Sequence, residues 1–194
     1  MKEFFIGFAG PPHLAELARH IDRFVALHGE TVVRAAPLYV AASAPRAFHK
    51  QSMMSAVMAF IDKATSGAEP PMALCRPAAV LDLEDGERCI GVEIDGFSFQ
   101  KVVPYLLQDF YTTFGYTPLP YEARQPFVPL LSSKDVTDAA FQAACDGLLD
   151  WNTPDPNPVF FDALGLFERK NPREPFAESW QSKYQVRKLV EQAA

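Results

Sequence analysis

Histidine is scarce in this 194-residue chain, which contains only 4. It is the side chain whose ordinary pKa lies near neutral pH and the commonest metal ligand, so its scarcity limits both proton-transfer and metal chemistry. The sequence also lacks the His-Glu-x-x-His, Gly-x-Ser-x-Gly and glycine-rich phosphate-binding motifs. We therefore expect neither a metal nor a cofactor. No motif supports a zinc protease, a serine hydrolase or a nucleotide-binding protein.

Cysteine is also rare, with Cys75, Cys89 and Cys145 as the whole set. An odd number of widely spaced cysteines does not form a zinc or disulfide pattern and indicates buried thiols in a reducing compartment. Apolar runs of the roughly 18 residues that a membrane helix needs are missing, and the apolar start of the chain is too short for a signal peptide. We expect a cytoplasmic protein without a membrane segment.

Positive charge is in deficit, because 18 Lys and Arg stand against 24 Asp and Glu, giving a net charge of -6. Proteins that bind nucleic acid draw most of their affinity from clustered Lys and Arg that neutralise phosphates. The balance therefore disfavours nucleic acid as a partner and leaves a small molecule or another protein.

Hydrophobic periodicity predicts alternating strands and helices. Short apolar runs predict strands over residues 4–9, 38–42, 127–131 and 159–167. Apolar spacings of three and four predict helices over 13–27, 48–64, 99–114 and 135–149, with Pro104 confined to the first turn of its helix. The Asp85-Gly86 pair predicts a hairpin between residues 72–83 and 88–94.

The chain contains a concealed repeat of strand, helix and strand. Residues 4–8 precede a helix, Gly29 and the segment 34–43, and residues 89–93 precede a helix, Gly115 and the segment 124–132. Two such halves would form two lobes, each with a mixed sheet and outer helices, around a central cleft.

This layout resembles the 2H phosphoesterase fold of the 2′-5′ RNA ligase-like and cyclic phosphodiesterase proteins. The resemblance covers most of residues 3–168 and depends on the start Phe-Phe-Ile-Gly-Phe-Ala-Gly-Pro-Pro and on later strands opened by Pro37 and Pro126. It implies an α+β fold of two pseudo-repeated lobes with a central cleft. We expect one domain over 1–170, with lobes of roughly 1–70 and 71–170 between which strand exchange is left open, and a C-terminal extension over 171–194.

In that family each half contributes a His-x-Thr/Ser strand, and the two motifs face each other across the cleft. Here these motifs fall on Leu38-Tyr39-Val40 and on Phe127-Val128-Pro129, where neither histidine nor hydroxyl stands at the outer positions. The resemblance therefore implies that the family mechanism is lost, and we assign no catalytic residue. The cleft is expected to be apolar, and it either fills as core or accepts an apolar ligand.

Polar residues near the expected cleft keep other uses open. Arg34 and Arg124 occupy comparable places in the two halves and suit either an anion clamp or ordinary salt bridges. His49 is the histidine nearest to the cleft, and Tyr39 could add a hydroxyl at its rim. The candidate ligand-binding residues are Leu38, Val40, Phe127, Pro129, Arg34, Arg124, Tyr39 and His49.

Three functional hypotheses follow. The first is a catalytically degenerate 2H phosphoesterase-like protein that binds a small, partly apolar ligand or a protein in the cleft. The second is a diverged enzyme, with altered chemistry or residual phosphoester hydrolysis, that uses His49, Arg34 and Arg124. The third is a protein-interaction module with the proline-rich segment 152–175 and Trp180 as its docking surface.

Overall fold

The computed structural model describes residues 2–34, 37–47, 51–83, 86–117, 126–149, 158–171 and 174–184. Within them the helices are α1 (Leu14–Ala26), α2 (Gln51–Thr65), α3 (Phe97–Phe114) and α4 (Asp138–Leu148). The strands are β1 (Glu3–Ala9), β2 (Tyr39–Ala41), β3 (Arg46–Ala47), β4 (Met72–Cys75), β5 (Ala79–Asp82), β6 (Arg88–Asp95), β7 (Phe127–Ser132), β8 (Val159–Phe160), β9 (Ala163–Arg169) and β10 (Ala177–Lys183).

The strands form two five-stranded sheets. The first has the order β10-β9-β1-β2, with β3 also paired to β1. The second has the order β5-β6-β4-β8, with β7 also paired to β6. Helices and two sheet lobes confirm the predicted α+β class. The pairing of β5 with β6 agrees with the predicted hairpin, but the predicted strand over 72–83 is divided into β4 and β5, and Asp85 lies outside the described residues.

Every strand pair in the two sheets is antiparallel, so the expected mixed sheets are wrong. The chain leaves the first sheet at Ala9 and returns beside that residue at Tyr39. The chain therefore re-enters the sheet at the end where β1 finished, and this makes β2 antiparallel to β1. A parallel neighbour would need a crossover to the opposite end of the sheet. The same return joins β6 to β7, where Glu93 pairs with Phe127.

The first sheet combines both ends of the described chain. Along β1, Phe5 pairs with Phe167 and Gly7 pairs with Gly165 of β9. Within the segment 171–194, residues 177–183 form β10 and extend this sheet. Trp180 of β10 packs against the main core.

The helices occupy the predicted segments, with one difference in α3. This helix begins at Phe97, so Pro104 lies inside it and not in the first turn. An interior proline removes a helical hydrogen bond and costs about 3 kcal/mol. The apolar face of α3 offsets that cost, because Phe99 and Phe110 are fully buried on it. In the described chain, no helix combines the length and apolar character needed to cross a membrane.

The two faces of β1 belong to different clusters, as the period of two in a strand requires. Phe4, Ile6 and Phe8 enter the main core, which also contains residues of the second sheet. Phe5 lies on the opposite face in a smaller aromatic cluster with Tyr39, Phe167 and Phe176. This second face is the one that borders the candidate site.

The three cysteines are unpaired. Burial raises the pKa of Cys75 and of Cys89 to about 11 and also raises the pKa of Cys145. The thiols are therefore protonated near neutral pH and are poor nucleophiles, because the thiolate is the reactive form.

Candidate functional site

A cavity of about 540 Å³ lies where the two sheets meet, beside β2 and β7. These two strands contact each other, so each lobe contributes one wall. The wall from the first sheet includes Leu38, Tyr39, Arg169, Glu174, Pro175 and Phe176 together with the segment 31–34. The wall from the second sheet includes Glu87, Pro129, Leu130, Leu131, Ser132, Lys134 and Asp135.

The Tyr39 ring forms the aromatic side of this cavity. Its centroid lies 4.5 Å from that of Phe5 and 5.3 Å from that of Phe167. Phe5 and Phe167 stack on each other with centroids 5.0 Å apart. Offset and tilted ring pairs of this kind stabilise the local packing, so the ring of Tyr39 is held in a fixed place.

The Tyr39 hydroxyl has no hydrogen-bond partner among the described residues. Burial raises its pKa to about 12, and the Arg169 charge opposes this only in part. Negative charge on Asp135, in the loop after the second sheet, also raises the pKa of Tyr39, as does Cys89 at the high pH where its thiol ionises. The group is thus a neutral hydroxyl between the two walls, able both to donate and to accept a hydrogen bond.

Three ion pairs involve residues that line the cavity. Arg34 pairs with Asp22 of α1 and donates its Nε proton to the carbonyl of Leu130, 2.5 Å away. This arrangement ties α1, the segment before β2 and β7 together. Salt-bridge formation is therefore the use that the structure gives Arg34.

Lys134 and Glu87 form a second pair, with 2.6 Å between Nζ and Oε2. The Ser132 hydroxyl donates to the other oxygen of Glu87 at 2.5 Å. Burial alone would raise the pKa of Glu87, but hydrogen bonds from Lys134 and Ser132 and the Lys134 charge outweigh it and lower that pKa. Glu87 is consequently a firmly ionised group that anchors the loop after β7.

Arg169 forms the third pair, with both Nε and Nη2 lying 2.7 Å from Oε2 of Glu3. Its guanidinium also lies 4.4 Å from the ring centroid of Phe176, at cation–π distance. Arg169 is thereby held between the first strand and the segment that leads into β10.

Two further carboxylates line the cavity without an ion pair in the described part of the chain, Asp135 and Glu174. Burial and the nearby Glu87 charge raise the pKa of Asp135, while Arg34 and a backbone hydrogen bond from Ser132 lower it to a smaller extent. The carboxyl of Asp135 therefore lies in a place where negative charge is disfavoured.

The structure places four of the residues predicted from the sequence on the cavity: Arg34, Leu38, Tyr39 and Pro129. Phe127 shares a strand face with Pro129, because residues two apart in a strand point the same way. It nevertheless does not belong to the lining of the cavity. Val40 is fully buried in the main core. His49 and Arg124 lie outside the described residues.

The lining combines apolar surface, as expected for the cleft, with charged residues. Five charged residues line the cavity that the sequence pattern did not mark as candidates: Glu87, Lys134, Asp135, Arg169 and Glu174. Arg169 and Glu174 lie more than 120 positions after Tyr39, and only the return of β9 beside β1 brings them near it. Among these charged residues, only Glu87 belongs to a recognisable sequence pattern, the run of acids at the hairpin. That pattern is typical of an exposed strand face and does not indicate a cavity.

None of the described residues that line the cavity is a histidine. In α1, His20 Nε2 lies 3.1 Å from the carbonyl oxygen of Gly147 and joins this helix to α4. Among the described residues, no group of three His, Cys, Asp or Glu side chains is arranged to hold a metal ion.

Comparison with solved structures gives neighbours over almost the whole chain. TT0787 of Thermus thermophilus is 11% identical with a TM-score of 0.63, covering 95% of this chain and 99% of its own. E. coli LigT complexed with 3′-AMP is 12% identical with a TM-score of 0.52, covering 95% of this chain and 98% of its own. The apo form of LigT is 12% identical with a TM-score of 0.50, covering 96% and 98%.

No protein-family model matches the sequence, and no curated protein matches it either. TT0787 and LigT, the latter a 2′-5′ RNA ligase, are members of the 2H phosphoesterase superfamily. Shared architecture at this level of identity establishes the fold and leaves the function to the site itself. The predicted resemblance is confirmed at that level, and the chain has the 2H phosphoesterase fold.

Proposed function

We propose that this protein is a catalytically degenerate 2H phosphoesterase-like protein that binds a small, partly apolar ligand in the cavity between β2 and β7. The observation that carries the proposal is a cavity of about 540 Å³ between the two sheets, and none of the described residues that line it is a histidine. Small-molecule sites typically have volumes of about 300–1,000 Å³, so the space suits such a ligand.

The composition of the walls supports binding in preference to proton transfer. Tyr39, Leu38 and Pro129 offer apolar surface, and the ion pairs around them offer polar contacts at the rim. General acid–base catalysis needs a group with a pKa near the working pH. Tyr39, with its pKa raised to about 12, does not meet that need. LigT, a protein with this fold, binds 3′-AMP in its crystal structure, and 3′-AMP is a ligand that a cavity of this volume could hold.

The other two hypotheses receive less support. The enzyme hypothesis needs His49 and Arg124, which lie outside the described residues, and an Arg34 that is already paired with Asp22. The interaction hypothesis needs an exposed Trp180, whereas this side chain packs against the main core.

A titration with small aromatic fragments, followed by ¹⁵N chemical shifts, tests the proposal. We expect shifts in the segment 31–34 and in β7, and no hydrolysis when 2′,3′-cyclic AMP is the substrate. Val33 lines the cavity and is 69% exposed, so Val33→Trp should block the cavity and abolish the shifts without affecting the core.

The matched control is Leu27→Trp, because Leu27 is 79% exposed and does not line the cavity. It should bind the fragments as the unmodified protein does. Fragment binding that Val33→Trp leaves unchanged, or turnover of the cyclic nucleotide, would contradict the proposal.

A further inference from the structure

The charges around the cavity are unequally compensated. Each cation of the lining has a carboxylate partner: Arg34 has Asp22, Lys134 has Glu87, and Arg169 has Glu3. These three pairs are neutral as units. They can position a ligand through hydrogen bonds but contribute little net potential.

Asp135 and Glu174 remain as carboxylates of the lining that form no ion pair in the described part of the chain. Asp135 follows β7 and Glu174 precedes β10, so the excess negative charge is divided between the two walls. The Tyr39 hydroxyl, which also has no partner among the described residues, belongs to the same lining and can accept a hydrogen bond.

From this arrangement we infer that the ligand of the cavity is an organic cation, a protonated amine carried on an apolar or aromatic body. The inference rests on the proposed function and names its ligand class. The ammonium group lies near Asp135 and Glu174 with the Tyr39 hydroxyl as an additional acceptor, and the body of the ligand packs against Leu38, Tyr39 and Pro129. A bound cation also relieves the unfavourable position of the Asp135 charge.

An anionic ligand fits this cavity less well. The Nη2 atom of Arg34 has no hydrogen-bond partner in the described chain, yet it is buried from solvent, so an anion cannot reach it without rearrangement of the wall. Lys134 and Arg169 are paired with Glu87 and Glu3, and these carboxylates would repel the same anion. A phosphate or carboxylate would in addition meet Asp135 and Glu174.

Three probes of one shape and different charge test the inference: 2-phenylethylamine, 2-phenylethanol and phenylacetate. In NMR titrations at low ionic strength and neutral pH we expect affinity to fall in that order. The amine should bind at least tenfold more tightly than phenylacetate, and its advantage should shrink as salt is added, because salt screens exposed charges.

Two variants localise the effect. Asp135→Asn and Glu174→Gln should each weaken binding of the amine about fivefold and leave the alcohol unchanged, since two unit charges about 4 Å apart in water interact by about 1 kcal/mol. Asp109→Asn is the control, because Asp109 is an exposed carboxylate of α3 that does not line the cavity.

The outcomes separate this inference from the proposed function. Tighter binding of phenylacetate than of the amine, or equal loss in Asp109→Asn and in the cavity variants, overturns the organic-cation assignment and leaves ligand binding in place. Failure of all three probes to bind overturns both.

Discussion

The ring and the hydroxyl of Tyr39 have separate roles. The ring belongs to the aromatic cluster with Phe5, Phe167 and Phe176 and therefore contributes to stability. The hydroxyl has no partner in the described chain, and Tyr39 lines the cavity, so under the proposed function the hydroxyl is available to a ligand. Substitutions that separate ring from hydroxyl can tell these roles apart.

Tyr39→Phe should leave the free energy of unfolding at pH 7 within about 0.5 kcal/mol of the unmodified protein, while Tyr39→Ala should lower it by about 3 kcal/mol. Urea denaturation measures both. Comparable losses in the two variants would show that the hydroxyl is bonded within the protein.

The pH dependence of Tyr39→Phe is a second readout of the same change. The folded-state pKa of Tyr39, about 12, lies above the ordinary value of 10.0, so its protonated form stabilises the fold below pH 10 and that contribution is lost as pH rises from 10 to 12. The unmodified protein should therefore lose stability more steeply than Tyr39→Phe in this interval. Tyr184, whose pKa is also raised to about 12, contributes equally in both proteins.

The sequence could not show which residues of β2 face the cavity. Leu38, Val40 and Ala42 are apolar, and a three-residue strand is too short for alternation to fix its phase. The structure turns Tyr39 towards the cavity and Val40 into the core, whereas the sequence placed the outer positions of the motif on Leu38 and Val40. The sequence offered one signal for the correct alternation, because the hydroxyl-bearing Tyr39 stands between the apolar Leu38 and Val40.

Among the elements, α1 and α4 are held together by a close approach at Gly147. A Cβ atom at this position would lie within 2.6 Å of Cζ of Phe24. The Gly147 carbonyl is also the partner of His20. Glycine is thus required here by the neighbouring helix and not by a turn.

Gly147→Ala should destabilise the protein by about 1–3 kcal/mol, because the added methyl group displaces the Phe24 ring. In an unobstructed helix interior the same change stabilises by about 1 kcal/mol, so the sign alone is informative. Thermal and urea unfolding measure it.

A double variant provides the control. In a Phe24→Leu background the ring is absent, and Gly147→Ala should cost at least about 1 kcal/mol less than in the unmodified protein. Additive effects of the two changes would contradict the proposed contact between these helices.

Long periodic elements were predicted well and short ones poorly. The four helices lie within a few residues of their predicted bounds because 11 to 18 residues carry several repeats of the apolar face. The predicted strand over 159–167 is divided into β8 and β9, which belong to different sheets. The chain passes from the second sheet to the first at Phe161 and Asp162, and a continuous apolar run contains no signal for such a change of sheet.

At the scale of the whole molecule, one hydrophobic core extends through both lobes. Phe4, Ile6 and Phe8 of the first sheet belong to the same buried cluster as Ile90 and Val92 of the second. The lobes are therefore two sheets on a shared core and not two separately stabilised units.

We expect the lobes to unfold together. Native-state hydrogen exchange should give the most protected amides of β1 and β6 the same free energy of opening, within about 1 kcal/mol. A markedly lower value for β6 would show that the second sheet opens by itself. The comparison uses the intact protein and needs no substitution.

The position of β1 between β2 and β9 has a consequence for synthesis of the chain. One edge of β1 can pair once residues 39–47 have left the ribosome, but the other stays open until residues 163–169 leave it. During that interval Phe5 lacks Phe167 and Phe176, and an unpaired strand edge is a template for aggregation. The nascent protein thus depends on β9 to protect β1, and its N-terminal segment is exposed to aggregation until that strand is made.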